Sequence, residues 1–359
     1  MKNFILLGLS LLAISIDACT QGCVIVRNIS GFAHYNFNDK GFSMSEWLLD
    51  VNGRYFKSFR DFKGSDDQKT PEADKSINHV FTFDMTATRI LKNGWSLSFN
   101  LPITSNNRST TIEHAGAGKP RHSTQSFGIG DARVTAYKWL IKPAVRQKTN
   151  VQLGIGLKLP TGNYKYEDYF FRKEDSLVLA PVNPSIQLGD GGTGIITELN
   201  TYYILDYKYS LYANLYYLIN PREVNGTSAL LGRAPTATQI KNRSTVNSVP
   251  DQYTVRAGIN GSFKKIIVSA GMRAEGIPVY DLVGGSNGNR RAGYNISFEP
   301  GVIYNFKKTS VIFYVPIMVK RATKQTVPDK IATEQTGSYT LLQGGFADYI
   351  VFLGASFKL

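Results

Sequence analysis

The chain predicts an all-β fold, a closed antiparallel transmembrane β-barrel of about twelve strands. Three observations carry that prediction. Segments of roughly ten residues alternate apolar and polar side chains, the connections between them are short and long by turns, and no helical pattern separates them. A period of two gives a strand one dry face and one wet face. In lipid only helices and closed barrels satisfy every backbone polar group, so strands that face lipid must join into a ring.

The strands follow in order. The first covers 51–59. The second, 80–91, sets Phe81, Phe83 and Met85 against Asp84. The third, 95–104, interleaves Trp95, Leu97, Phe99, Leu101 and Ile103 with polar residues and Pro102. The fourth, 127–141, places Val134 and Ala136 opposite in phase to Asp131 and Arg133. The fifth, 150–160, alternates Val151, Leu153, Ile155, Leu157 and Leu159 with Gln152, Gly154, Gly156 and Lys158. Strands 195–205 and 209–220 set Leu199, Leu211 and Leu215 against Glu198, Asn200 and Asn214. Strands 253–263 and 266–277 carry Arg256, Arg273 and Glu275 on the wet face. Strands 294–306, 310–320 and 347–358 set Val302, Val311, Val315, Val351 and Leu353 on the dry face, with Glu299 on the other.

The connections at 92–94, 142–149, 206–208, 264–265 and 307–309 are short, and those at 60–79, 105–126, 161–194, 221–252, 278–293 and 321–346 are long. Short turns face the periplasm and long loops the outside, which puts both ends of the barrel on the periplasmic side. Prolines 102, 160, 221, 278 and 316 recur near the far end of five outward-going strands and predict a rim where pairing stops. The formal net charge is +14. Lys92, Lys142, Arg146, Lys148, Lys208, Lys264, Lys265, Lys307 and Lys308 crowd the short turns, where anionic headgroups attract them. The positive charge thus marks outer-membrane lipid as the partner rather than nucleic acid.

An Arg or Lys at the lipid midplane costs about 2–4 kcal/mol, so the charged faces must point inward. The candidate lumen and solute-path residues are Asp84, Asp131, Arg133, Glu198, Asn200, Asn214, Arg256, Arg273, Glu275 and Glu299. Both signs occur, which fits a stiffening ion-pair network, a polar solute lining, or both.

At the amino terminus, residues 1–18 have the pattern of a secretory signal. Lys2 precedes an apolar stretch at 4–16, too short at about 1.5 Å per residue to cross a hydrocarbon core of about 30 Å, and Ala18 supplies a small residue. Cys19 and Cys23 follow, a pair suited to a small disulfide loop in an oxidising periplasm, with lipidation of Cys19 the alternative. Residues 19–43 form a periplasmic segment or a plug for the lumen, and 44–359 the barrel. No metal or cofactor is expected, since two cysteines alone do not make a structural zinc site. Catalysis has little support. Of the four histidines, His34 lies in the amino-terminal segment, His79 at a strand end, and His114 and His122 in one outer loop. A hydrolase would have to use His79 or His122. The run from Gly189 to Gly194 lacks the helix of a phosphate cradle and the acidic ligands of a calcium loop, and is expected to be a flexible loop return.

Phe127-Gly128-Ile129-Gly130-Asp131, Lys138-Trp139 and Leu159-Pro160-Thr161-Gly162 resemble the outer-membrane barrels labelled phenol meta-pathway transport proteins. Those are related in style to the long-chain fatty-acid channels. The resemblance is sharp over about 126–206. Tyr55-Phe56-Lys57-Ser58-Phe59 and Gly344-Gly345-Phe346-Ala347-Asp348-Tyr349 are similar to barrels of the Bacteroidota. The chain departs from the usual pattern in ending Phe357-Lys358-Leu359 and in lacking an evident aliphatic-lined hatch. The resemblance implies a porin-like channel of the bacterial outer membrane for a small, hydrophobic or aromatic molecule. The alternative is a structural barrel with a blocked lumen that binds a periplasmic or surface partner protein.

Overall fold

Alternating side chains and tight turns assemble into a ring of antiparallel ladders. The computed structural model describes residues 47–141, 148–173 and 176–359. The signal segment, Cys19, Cys23 and the 19–43 segment therefore lie outside the described residues, as do Lys142 and Arg146. The barrel strands are β1 (Trp47–Lys63), β2 (Ile77–Ile90), β3 (Trp95–Thr110), β4 (His122–Ile129 and Arg133–Trp139), β5 (Thr149–Lys158) and β6 (Gly194–Ile204). They continue with β7 (Tyr209–Ile219), β8 (Gln252–Phe263), β9 (Ile266–Ile277), β10 (Gly293–Asn305), β11 (Thr309–Tyr314 and Ile317–Thr323) and β12 (Gly344–Lys358). Each pairs with the next in sequence, and β12 returns to β1, from Leu48 opposite Lys358 to Phe62 opposite Gly344. The result is a closed twelve-stranded antiparallel barrel with no free edge.

The periplasmic turns are built by residues that tolerate tight geometry. Asn93 (φ 60°) and Gly94 (φ 77°) both take the left-handed backbone between β2 and β3, as a short hairpin with right-handed strand twist requires. Between β6 and β7, the Asp206 carboxylate accepts from the amides of Lys208 (2.7 Å) and Tyr209 (2.8 Å). These bonds hold its pKa below the usual carboxylate range.

The outward faces carry the expected dry residues. Phe81, Leu211, Leu215, Val302, Val311 and Leu353 are all exposed, a belt that only lipid can cover favourably. No helix is long and apolar enough to cross a membrane among the described residues.

The extracellular half departs from the sequence reading in three ways. β1, β3 and β4 rise well above the expected strand ends, so that 105–110 and 122–126 are ladder rather than loop. Two strands are interrupted, β4 at 130–132 and β11 at 315–316. Pro102 and Pro316 are not at a rim where pairing ends but beside these interruptions. The carbonyl of Pro102 accepts from the Gly130 amide (2.8 Å), and that of Pro316 from the Ile350 amide (3.0 Å). A proline has no N–H for the neighbour on that side, and the neighbouring ladder breaks or bulges there. The long loops also fold in their own right. They hold hairpins of Glu167–Lys173 with Ser176–Pro181 and of Val224–Ser228 with Val246–Ser248, and helices α1 (Ala237–Lys241) and α2 (Val327–Thr336). Helix α2 starts at a capping box between Thr326 and Asp329 and ends at Gly337 in the left-handed region.

Candidate functional site

The lumen is defined by side chains that reach strands they do not pair with. The Arg133 guanidinium on β4 lies 5.9 Å from the Tyr216 ring on β7. Arg256 on β8 lies 5.7 Å from the Tyr314 ring on β11, and Arg273 on β9 lies 5.6 Å from the Phe352 ring on β12. None of these pairs is a neighbour in the sheet, so each contact spans a chord across the interior.

Asp84, Asp131, Glu198, Asn200, Asn214, Arg256, Arg273, Glu275 and Glu299 are buried, and Arg133 is half-buried among the fields of Asp84, Asp131 and Glu198. The structure sorts eight of them, all but Asp84 and Arg133, into three groups. In the first, Glu299 on β10 bridges two arginines. Its Oε1 accepts from Arg256 Nε (2.8 Å), and its Oε2 stands 3.6 Å from an Arg273 nitrogen. Arg273 also donates to Glu275 Oε2 from Nε (3.1 Å) and from Nη2 (2.7 Å). In the second, Asn214 donates to Asn200, and Asn200 to Gln152 (3.1 Å), a chain of directly opposed residues on β7, β6 and β5. Beside it Tyr137 on β4 crosses β5 to donate to Glu198 on β6 (3.1 Å). Gly154 makes that crossing possible, because a Cβ there would sit 2.7 Å from the Tyr137 ring.

The third group explains the Phe-Gly-Ile-Gly-Asp and Leu-Pro-Thr-Gly runs. Where β4 is interrupted, Thr161 hydroxyl accepts from the Ala132 amide (2.8 Å) and donates to the Gly130 carbonyl (2.8 Å). The freed Asp131 carboxylate accepts from the amides of Gly162 (3.1 Å) and Asp190 (3.2 Å). It also stands 3.6 Å from the Lys158 ammonium, which pairs with Asp190 as well. Gly162 packs against the backbone of Leu188 and Gly189 so closely that a Cβ would lie 2.6 Å from the Leu188 carbonyl oxygen. The run from Gly189 to Gly194, expected as a loose return, is instead tied into the wall by these bonds.

Sequence reasoning missed a second lining. Phe56, Val80, Ile267, Ile303, Ile312, Tyr314, Met318, Ala347, Ile350 and Phe352 form one buried apolar cluster on the inner faces of β9 to β12, β1 and β2. Thr82, Thr104, Asn106, Ser126, Thr135 and Gln152 make a hydroxyl- and amide-rich wall on β2 to β5, which continues through Asn200 on β6 and Asn214 on β7. The lumen is thus two-sided in its lining, part apolar and part polar, and Arg256 and Arg273 reach from β8 and β9 onto aromatic rings of the apolar part.

Above the barrel, buried ion pairs cross-tie the loops. Arg108 forms a two-bonded pair with Glu113 (both 2.8 Å), and Asn183 donates to the same carboxylate (2.6 Å). Arg290 grips Asp281 in the same manner (2.8 and 2.6 Å). The histidines belong to packing contacts. His79 Nδ1 meets the Tyr55 hydroxyl (2.8 Å), the His122 ring stacks on Phe171 at 3.8 Å, and His114 Nδ1 accepts from the Phe171 amide (3.1 Å). Burial drives the His114 pKa down to about 4. Among the described residues no three His, Cys, Asp or Glu side chains are grouped as metal ligands.

No model of a known protein family matches the chain, and no curated protein matches it. Solved structures do. The crystal structure of an outer-membrane channel from Pseudomonas putida F1 superposes with a TM-score of 0.58, at 11% identity, over 90% of this chain and 98% of its own. The translocator domain of the autotransporter NalP from Neisseria meningitidis gives 0.44 at 10% identity, covering 87% and 88%. The toluene transporter TbuX of Ralstonia pickettii gives 0.40 at 10% identity, covering 89% and 90%. At such identities the likeness is one of fold. That fold, with its lipid-facing belt, places the protein in the bacterial outer membrane.

Proposed function

We propose that the protein is a porin-like channel that passes a small, neutral molecule with an apolar or aromatic body. The observation that carries this reading is the two-sided lumen. Its apolar wall (Phe56, Met318, Ile350 and Phe352) offers a surface to a ring or alkyl group. Its polar wall offers hydroxyls and amides to a polar substituent. The ionised groups are paired with each other, as in the Arg256–Glu299–Arg273–Glu275 network. A charge-balanced lining gives ions of either sign little preference. The likeness to the Pseudomonas putida channel supports the architecture, and the polar residues at Asp84, Arg133, Glu198 and Asn214 would line the path.

The test is uptake into proteoliposomes. A neutral monoaromatic solute should enter faster than a polyol of equal size, with small and weakly selective ion conductance. Equal exclusion of both solutes, with and without residues 19–43, would refute the reading.

A second reading has its own observation. Arg273, Glu275, Glu299 and Tyr314 are each 1% exposed, and Arg256 and Arg273 bridge from β8 and β9 to the rings of Tyr314 and Phe352 on β11 and β12. A barrel closed by that bridge would serve as a structural or partner-binding element. Co-purification of a stable periplasmic or surface protein, together with no solute uptake, would favour it.

A further inference from the structure

Two of the chain's three tryptophans stand on the lipid face at the periplasmic rim, and each carries a cation. Trp47 on β1 and Trp95 on β3 are both 46% exposed. The Arg89 guanidinium on β2 lies 5.1 Å from the Trp47 ring, and the Lys138 ammonium on β4 lies 5.1 Å from the Trp95 ring. Register makes the arrangement continuous. Trp47 is opposite Arg89, Arg89 opposite Leu97, and Trp95 opposite Lys138. Lys138 also donates to the Asn93 carbonyl in the turn, which holds its ammonium at the rim. Lys92 in the same turn adds a third positive charge.

This differs from the charge of the other periplasmic turns. Lys264, Lys265, Lys307 and Lys308 lie in the turns themselves, beyond the strands. Arg89 and Lys138 are strand residues facing lipid, at the height where a cation costs little because headgroups begin. Arginine matches phosphate oxygens in pairs, and indoles settle at the same level.

We propose that this band binds the phosphate of an anionic glycerophospholipid in the periplasmic leaflet. Arg89 and Lys138, with backbones about 12 Å apart over two strand spacings and two residues of rise, contact the headgroup. Trp47 and Trp95 pack against the glycerol and the upper acyl segments. The site is independent of whether the lumen conducts.

The experiment uses the full purified chain in detergent with equal amounts of phosphatidylglycerol, phosphatidylethanolamine and phosphatidylcholine, read by native mass spectrometry. Phosphatidylglycerol should be retained several-fold over the other two. An R89Q/K138Q variant should lose that preference, and a K264Q/K265Q variant should keep it. Wild-type tryptophan fluorescence gives a readout that needs no variant. Phosphatidylglycerol brominated near the headgroup should quench it more than brominated phosphatidylcholine at equal mole fraction. No headgroup preference, equal loss in both variants, displacement of the lipid by inorganic phosphate, or equal quenching by the two brominated lipids would each overturn the site.

Discussion

The two walls of the lumen are made from strands of the same ring, yet they are held together differently. On β5, β6 and β7 the polar wall is a chain of short-range bonds between directly opposed residues, Gln152, Asn200 and Asn214. The wall of β11, β12 and β1 is packed by contact, with Phe56, Met318, Ile350 and Phe352 in one cluster. Arg256 and Arg273, tied through Glu299, join the two. The difference teaches that the polar side is satisfied within the wall, whereas the bridge depends on a single shared carboxylate.

That asymmetry sets an order of expected effects. Glu299→Ala removes the carboxylate bonded to Arg256 and leaves Arg273 with Glu275, and breaking such a buried pair costs about 3–5 kcal/mol. Urea titrations followed by heat-modifiable gel mobility should show it as the largest loss. Phe352→Ala empties the apolar side and removes the ring under Arg273, at a cost of about 3 kcal/mol, with aromatic uptake reduced more than polyol uptake. Asn200→Ala interrupts the polar chain and should cost about 1–2 kcal/mol with little change in aromatic uptake. If Asn200→Ala proves as damaging as Glu299→Ala, the contrast between the walls fails.

The smallest effect concerns the cap. His114 has a pKa near 4 in the folded protein against an ordinary value of 6.5. The unfolded loop therefore binds more protons than the folded one between those values, so stability falls as pH drops through this window. Limited proteolysis of the outer loops should become faster from pH 6.5 towards 4 in the wild type, and the slope should flatten in a His114→Gln variant.

Much of this architecture was legible in the sequence because lipid on one face and water on the other imprint a period of two. All twelve strands and the tight turns at 92–94, 206–208, 264–265 and 307–309 followed from that imprint. Three features left no such trace. Above the membrane, Ser105, Asn107 and Ser109 alternate with Asn106, Arg108 and Thr110, polar on both faces, so the upper ladder looked like loop. Along Tyr349, Ile350, Val351, Phe352 and Leu353 both faces are apolar, so the dry inner wall was hidden in a continuous run. The meeting of Arg256 with Glu299 depends on register across β8, β9 and β10, which no local pattern encodes. Asp131 was recognised as inward, but its grip on Gly162 and Asp190 needed the break in β4 to be seen. The expected rim of prolines holds at Pro160, Pro221 and Pro278, which follow the ends of β5, β7 and β9, and fails at Pro102, inside a ladder beside the break in β4, and at Pro316, inside the break in β11.

The most direct measurement places single cysteines at Met318 on the apolar wall, Thr135 on the polar wall and Leu353 on the lipid face, in chains with Cys19 and Cys23 replaced. A small water-soluble thiol reagent is then applied during aromatic uptake. The account predicts that Cys at 318 and at 135 reacts and that uptake stops, while Cys at 353 stays unmodified and uptake continues. Reaction at 353 with no block from 318 or 135 would contradict it.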